Sequence, residues 1–218
     1  MSKSILPSSG LYAITDSTLH TGRALEQAAA RAIAGGAKMI QYRDKSEDGD
    51  RRHREAAMLV RVCRRHGVPM IVNDDVELAL ASDADGVHIG RDDTDLLAAR
   101  SRLGDDYILG VSCYNSVELA EAAQRNGADY VAFGSMFSSA TKPGATHGEI
   151  ATLESARQRI NLPIVAIGGI TPENAASLLD AGVDFLAVVR GVFGHDDPAE
   201  PARRYARLFC RQAREEES

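Results

Sequence analysis

Short apolar runs of four or five residues recur along the chain. Each is followed by a polar loop and then by a segment whose apolar positions fall at helical spacing. Runs this short and this uniformly apolar predict strands covered on both faces, as in a parallel sheet. They cover Leu11 to Thr15, Lys38 to Tyr42, Pro69 to Val72, Gly86 to Ile89, Tyr107 to Val111, Asp129 to Phe133, Ile164 to Ile167 and Phe185 to Val189. The helical pattern predicts helices over Arg23 to Ala34, up to His66-Gly67, and over Glu77 to Ala81, Leu96 to Arg102 and Ser116 to Arg125. Three more are predicted over Glu149 to Arg159, Pro172 to Asp180 and Ala202 to Arg214. The longest loop runs from Gly134 to Gly148.

Eight strand–helix units in 218 residues is about 27 residues per unit, a workable size for a compact barrel. The junction before the strand also repeats, as Gly36-Ala37-Lys38, Gly127-Ala128-Asp129 and Gly182-Val183-Asp184. Each is a glycine helix stop, a polar residue and then a buried strand. No linker or shift in composition marks a second domain, so residues 1–218 read as one α/β domain. The count of eight, and the lack of Gly-x-Gly-x-x-Gly after the first strand, favour a single (βα)8 TIM barrel over an open doubly wound sheet.

Composition narrows the function. The net charge is −6 with no basic block, which argues against a nucleic-acid surface. An acidic protein that binds an anion must do so with local cations, which directs attention to Arg43, Lys45 and Lys142. The cysteines Cys63, Cys113 and Cys210 are scattered and match no zinc or redox spacing, so a reduced, cytoplasmic setting is expected. No apolar stretch approaches the ~20 residues of a membrane span. Met1 to Gly10 lacks the apolar core of a signal peptide.

The polar residues collect at C-terminal strand ends, and in a barrel those ends meet at one rim. Gln41, Arg43 and Lys45 alternate along an extended segment and so share a face with Met39, a set suited to a phosphate ester. Asn73-Asp74, Asp92-Asp93, Ser112, Ser139, Thr141-Lys142, Gly168-Gly169 and Arg190-Gly191 follow other strands. Asp74 and Asp93 are hard oxygen donors that could hold Mg²⁺ together with substrate phosphates, with Asp75, Asp92 and Asp95 as rivals. The competing role is helix capping, since Glu77 stands three residues after Asp74. Gly168-Gly169 could offer backbone N–H groups to a phosphate or could serve a tight turn. Thr141-Lys142 belongs either to a lid or to a solvated loop. His88 is mid-strand and either faces the barrel interior with a role in the site or belongs to the core. Cys113 has no partner base that would make it a nucleophile.

These residues resemble thiamine phosphate synthase. The resemblance rests on Gln41-Tyr42-Arg43-Asp44-Lys45, Asn73-Asp74-Asp75, Asp85-Gly86-Val87-His88-Ile89-Gly90, Gly110-Val111-Ser112, Thr141-Lys142 and Ala166-Ile167-Gly168-Gly169-Ile170, in that order. It implies an enzyme that joins a hydroxymethylpyrimidine diphosphate to a thiazole phosphate and releases diphosphate. It implies that Gln41, Arg43, Lys45 and Asn73 contact the pyrimidine substrate and its diphosphate, with Ser112 and Lys142 nearby. Asp74 and Asp93 would hold Mg²⁺, and Ser139, Thr141, Gly169, Val189 and Arg190 match the thiazole phosphate positions. Two positions depart from the family pattern: Ser139 stands where Thr is usual, and Arg190 where Ser is usual. The implied mechanism is dissociative, with Mg²⁺, Arg43, Lys45 and Lys142 neutralising the leaving group. A thiazole tautomerase, a non-catalytic barrel that senses a phosphorylated metabolite, and another phosphate-binding barrel enzyme are the alternatives. A homo-oligomer is left open.

Overall fold

The computed structural model describes residues 6–90, 95–138 and 148–215. Its eight strands are β1 (Gly10–Ile14), β2 (Ala37–Tyr42), β3 (Met70–Asn73), β4 (Gly86–Ile89), β5 (Ile108–Tyr114), β6 (Tyr130–Phe133), β7 (Ile164–Ile167) and β8 (Phe185–Val188). The helices are α1 (Gly22–Ala34), α2 (Gly49–Arg65), α3 (Val76–Ser82), α4 (Leu96–Leu103), α5 (Val117–Arg125), α6 (Ile150–Arg159), α7 (Ala176–Asp180), α8 (Arg190–Phe193) and α9 (Ala199–Glu215). The strands pair in parallel and in chain order. β8 returns to β1 with Gly10 opposite Phe185 and Ala13 opposite Val188, which closes the barrel.

Side-chain alternation divides the apolar residues into two cores. One fills the barrel and includes Tyr12, Met39, Ile71, Ile108, Tyr130, Val165 and Phe185. The other lies between the strands and the surrounding helices, where Ile40 and Tyr42 of β2 meet helix positions such as Leu25, Ala29, Ala56 and Leu59. In α1 the buried positions are Leu25, Ala28, Ala29 and Ala32, the i, i+3, i+4, i+7 stripe of an amphipathic helix.

At two of the three repeated junctions the polar residue is an aspartate with a structural reason, and Asp85 before β4 shares it. Asp85, Asp129 and Asp184 each stand just before a strand, and each carboxylate accepts the N–H of a residue on the preceding strand. The donors are Met70 at 2.8 Å, Leu109 at 2.8 Å and Ile164 at 2.7 Å. Arg100 and Arg157 reach Asp129 and Asp184 at 2.6 Å and 2.9 Å. These bonds fix the register at the N-terminal end of the barrel, opposite the rim that carries the chemistry.

Three readings of the helices need correction. The helix expected from Pro172 begins at Ala176, because Asn174 first closes a turn, its side chain accepting from the Thr171 N–H at 2.9 Å. The chain after β8, read as a loop, contains the four-residue α8. A helix that short carries too little periodicity to stand out. The predicted helix from Glu149 starts one residue later, at Ile150.

Tyr130 lies across the barrel because Gly110 leaves room for it. A Cβ at Gly110 would stand 2.0 Å from the ring Cζ. Gly110→Ala is expected to destabilise the fold by about 1–3 kcal/mol, the usual cost of overpacking a filled core. Urea unfolding of the two proteins measures it, and equal midpoints would contradict the packing described.

Candidate active site

The C-terminal rim opens onto a cavity of about 940 Å³. Gln41, Arg43, Lys45, Asn73, Asp74 and Ser112 line it on one side, and Gly169, Val189 and Arg190 on another. Nine of the thirteen sequence-predicted site residues are therefore brought to one place. The other four, Asp93, Ser139, Thr141 and Lys142, lie outside the described residues.

β2 delivers its polar residues as the alternation predicts. Met39 is in the barrel core, Gln41 is 2% exposed below the cavity, and Arg43 and Lys45 continue upward to its wall. The segment stays extended past the strand because Thr15 N–H donates to the Gln41 carbonyl at 2.9 Å and Arg43 N–H donates to Thr15 Oγ1 at 3.0 Å. Asp44 points away from the cavity. Its carboxylate accepts from the Ser46 N–H and from the Arg51 guanidinium, each at 2.8 Å. Burial raises the cost of its charge, but these donors outweigh burial and hold its pKa at about 2.

On the neighbouring strand, Asn73 Nδ2 donates to Asp74 Oδ2, and Lys45 Nζ lies 3.3 Å from the same oxygen. Asp74 has φ 65°, a left-handed conformation that turns its side chain back to the rim rather than onto α3. The cap of α3 is Asp75, which accepts from the Leu78 N–H at 2.8 Å and pairs with Arg52 at 2.7 Å. Asp95 caps α4, accepting from the Ala98 N–H at 3.1 Å. The capping role weighed for Asp74 thus belongs to its neighbour, and Asp75 and Asp95 are occupied as caps. Lys45 is 63% exposed along its side chain, so its pair with Asp74 contributes only ~0–1 kcal/mol and can yield to a ligand.

At the other side of the mouth, Arg190 Nη2 lies 3.9 Å from Asp16 Oδ2. Thr18 donates its N–H and its hydroxyl to Asp16 Oδ1 at 2.9 and 2.7 Å. Burial opposes the Asp16 charge, yet these donors and the charges of Arg190 and Arg43 keep its pKa below the ordinary value. Asp16 therefore anchors the cation that stands where a hydroxyl was expected. Gly168 and Gly169 have φ +104° and +63°, and a Cβ on either would strike the 135–138 segment, at Ser135 Oγ and Ser138 O. The pair is required for close packing, and its backbone still faces the cavity.

A floor of buried polar groups lies beneath these residues, and sequence reasoning missed that Tyr12 and Tyr130 connect it. Tyr12, Tyr130 and His88 join Gln41 to Ser112 through hydrogen bonds of 2.7 to 3.0 Å. The only available hint was two tyrosines on otherwise apolar strands. Cys113 is fully buried and burial pushes its thiol up to about 12, so no thiolate is present at neutral pH. Among the described residues there is no group of three His, Cys, Asp or Glu side chains able to hold a metal, and no helix long and apolar enough to cross a membrane. Of the described candidate ligands, Asp74 is the one that caps no helix, and it fits Mg²⁺ in the way that ion is usually held, by one or two carboxylates with phosphate oxygens completing the shell.

Fold and site together define a (βα)8 barrel enzyme whose rim gathers cations, a carboxylate and a glycine-rich turn around one cavity. Residues 11–192 match the thiamine monophosphate synthase family, and the chain belongs to it. It is 51% identical over 206 residues to the thiamine-phosphate synthase of Thiobacillus denitrificans, covering 94% of this chain and 97% of that one. It is 52% identical over 200 residues to that of Chromobacterium violaceum, covering 92% and 96%. Among solved structures it is similar to thiamine phosphate pyrophosphorylase from Pyrococcus furiosus, with TM-score 0.85 and 32% identity, covering 94% and 96%.

The depressed Asp44 pKa makes a stability prediction. A carboxylate held below its ordinary value of 3.8 stabilises the fold at neutral pH, and that contribution is lost as pH falls from about 4 towards 2. Asp44→Asn should lose about 2 kcal/mol at pH 7. Urea unfolding across pH should show the gap to the parent protein closing on acidification. A gap independent of pH would contradict the assignment.

Proposed function

We propose that this chain is a thiamine-phosphate synthase, joining 4-amino-2-methyl-5-hydroxymethylpyrimidine diphosphate to a thiazole phosphate with release of diphosphate at the barrel mouth. What carries the reading is the convergence of Gln41, Arg43, Lys45, Asn73, Asp74 and Ser112 on one cavity, in a chain about 50% identical to relatives of that name. Those names also weigh against the tautomerase and sensor alternatives.

The chemistry follows from what the mouth contains and lacks. Among the described residues no activated nucleophile lines it: Cys113 is buried with its thiol protonated, and Ser112 bonds to a histidine that is itself tied to Tyr130. The reaction suited to such a site is dissociative. The bond from the pyrimidine methylene carbon to the diphosphate oxygen breaks, the electron pair leaves with diphosphate, and the thiazole nitrogen supplies the pair for the new C–N bond. Arg43, Lys45 and Lys142 stabilise the charge that grows on the leaving oxygens, where preorganised donors are most effective. Asp74 and Asp93 would hold Mg²⁺ with substrate oxygens, and the ion would add to that neutralisation. Ser139, Thr141, the Gly169 and Val189 backbone and Arg190 receive the thiazole phosphate, with Arg190 supplying a positive charge in place of the usual hydroxyl.

The test incubates purified protein with both substrates and Mg²⁺ and measures thiamine phosphate and diphosphate. Both should appear in equal amounts and only when every component is present. Ligand binding without turnover would contradict the proposal. Replacing Arg43 or Lys142 by Ala should lower kcat by about 10²–10³, the typical cost of one preorganised electrostatic donor. Steady-state rates within a few-fold of the parent would remove these residues from the mechanism.

A further inference from the structure

The floor of the cavity is a single file of hydrogen bonds. Gln41 Nε2 donates to Tyr12 Oη at 2.7 Å, and Tyr12 Oη lies 2.9 Å from Tyr130 Oη. Tyr130 Oη lies 3.0 Å from His88 Nδ1, and His88 Nε2 lies 2.9 Å from Ser112 Oγ. The five residues come from β1, β2, β4, β5 and β6, so the file crosses the barrel from wall to wall. Both tyrosines are fully buried, and burial drives both phenols well above their ordinary pKa, so they remain neutral hydroxyls, each with one proton to give.

With Gln41 Nε2 as the first donor, that arithmetic sets the direction. Tyr12 accepts from Gln41, and its own proton has Tyr130 as its acceptor. Tyr130 has then accepted once, and its proton goes to His88 Nδ1. His88 Nδ1 is then an acceptor, so the ring carries its proton on Nε2, which donates to Ser112 Oγ and leaves the serine proton to point elsewhere. At the other end, Gln41 has committed its amide nitrogen to Tyr12, and its Oε1 accepts no bond from another described residue. Both ends line the cavity.

We propose that this file is a polarity lock: it presents Gln41 Oε1 as an acceptor and the Ser112 hydroxyl as a donor, so that Tyr12, Tyr130 and His88 act as positioning residues selecting a 4-amino over a 4-oxo pyrimidine. Turning the Gln41 amide over would require every proton in the file to reverse and the histidine to change tautomer. A buried hydrogen bond left unmade is costly, so the ends cannot switch one at a time. An exocyclic amine donates to the Gln41 oxygen, whereas a 4-oxo group there sets two acceptors against each other. Sites built to pair with one polar group reject its opposite strongly.

The choice of ring rests on the function proposed above, but the direction of the file does not, and the two are tested separately. With ¹⁵N-histidine-labelled protein and no substrate, the His88 resonance, assigned by its absence in His88→Gln, should show the neutral Nε2–H tautomer at neutral pH. The Nδ1–H tautomer would overturn the direction. Selectivity is then read as the dissociation constants of the two unreactive pyrimidine alcohols, 4-amino and 4-oxo, which carry no diphosphate to lose. The parent protein should prefer the 4-amino alcohol by at least tenfold, and Tyr130→Phe should erase most of that preference, with Tyr12→Phe as the second variant if the first does not fold. A preference that survives while affinity for both alcohols falls equally would mean a merely structural role and would overturn the proposal. Failure to make thiamine phosphate alongside the expected tautomer and preference would instead count against the reaction.

Discussion

The structure depends on closing a parallel sheet on itself. Once β1 pairs with both β2 and β8, every strand runs the same way round the ring, and every C-terminal end reaches the same rim. Residues as far apart as Gln41 and Arg190 then line one cavity with no local sequence signal to bring them together. Closure also leaves an interior only as wide as the side chains that fill it. Glycine at Gly86 and Gly110 admits the large residues of the neighbouring strands, Ile108 and Tyr130.

The two ends of the barrel divide the work. At the N-terminal end, carboxylates of Asp85, Asp129 and Asp184 bind backbone N–H groups across strands, a static use of charge. At the C-terminal end the cations are held loosely: Lys45 and Arg190 are more than half exposed and pair with single carboxylates. Exposed pairs of this kind contribute little to stability and so can be exchanged for substrate oxygens. Between the ends, Tyr12, Tyr130 and His88, the inner members of the polar file from Gln41 to Ser112, each have a partner on both sides, which makes a buried polar layer compatible with a stable barrel.

Much of this was legible in the sequence, and what was missed has physical reasons. The eight strands were readable because each has a short, mainly apolar run that leads into a polar loop. The shared face of Gln41, Arg43 and Lys45 followed from period two alone. The capping role weighed for Asp74 was off by one residue, because the pattern of an acidic residue before a helix does not say which of two adjacent aspartates takes the left-handed turn; Asp74 does, at φ 65°. The short α8 has one turn and so no period to detect. The bond between Tyr12 and Tyr130 joins residues 118 positions apart, and only closure of the ring brings them together.

The central claim is that the rim gathers charge to stabilise a departing diphosphate. A crystal of this protein grown with inorganic diphosphate and Mg²⁺ tests it most directly. The account requires the diphosphate to lie within hydrogen-bonding distance of Arg43 and Lys45, with the metal on Asp74. Diphosphate bound away from that mouth, with Arg43 and Asp74 turned from it, would contradict the account.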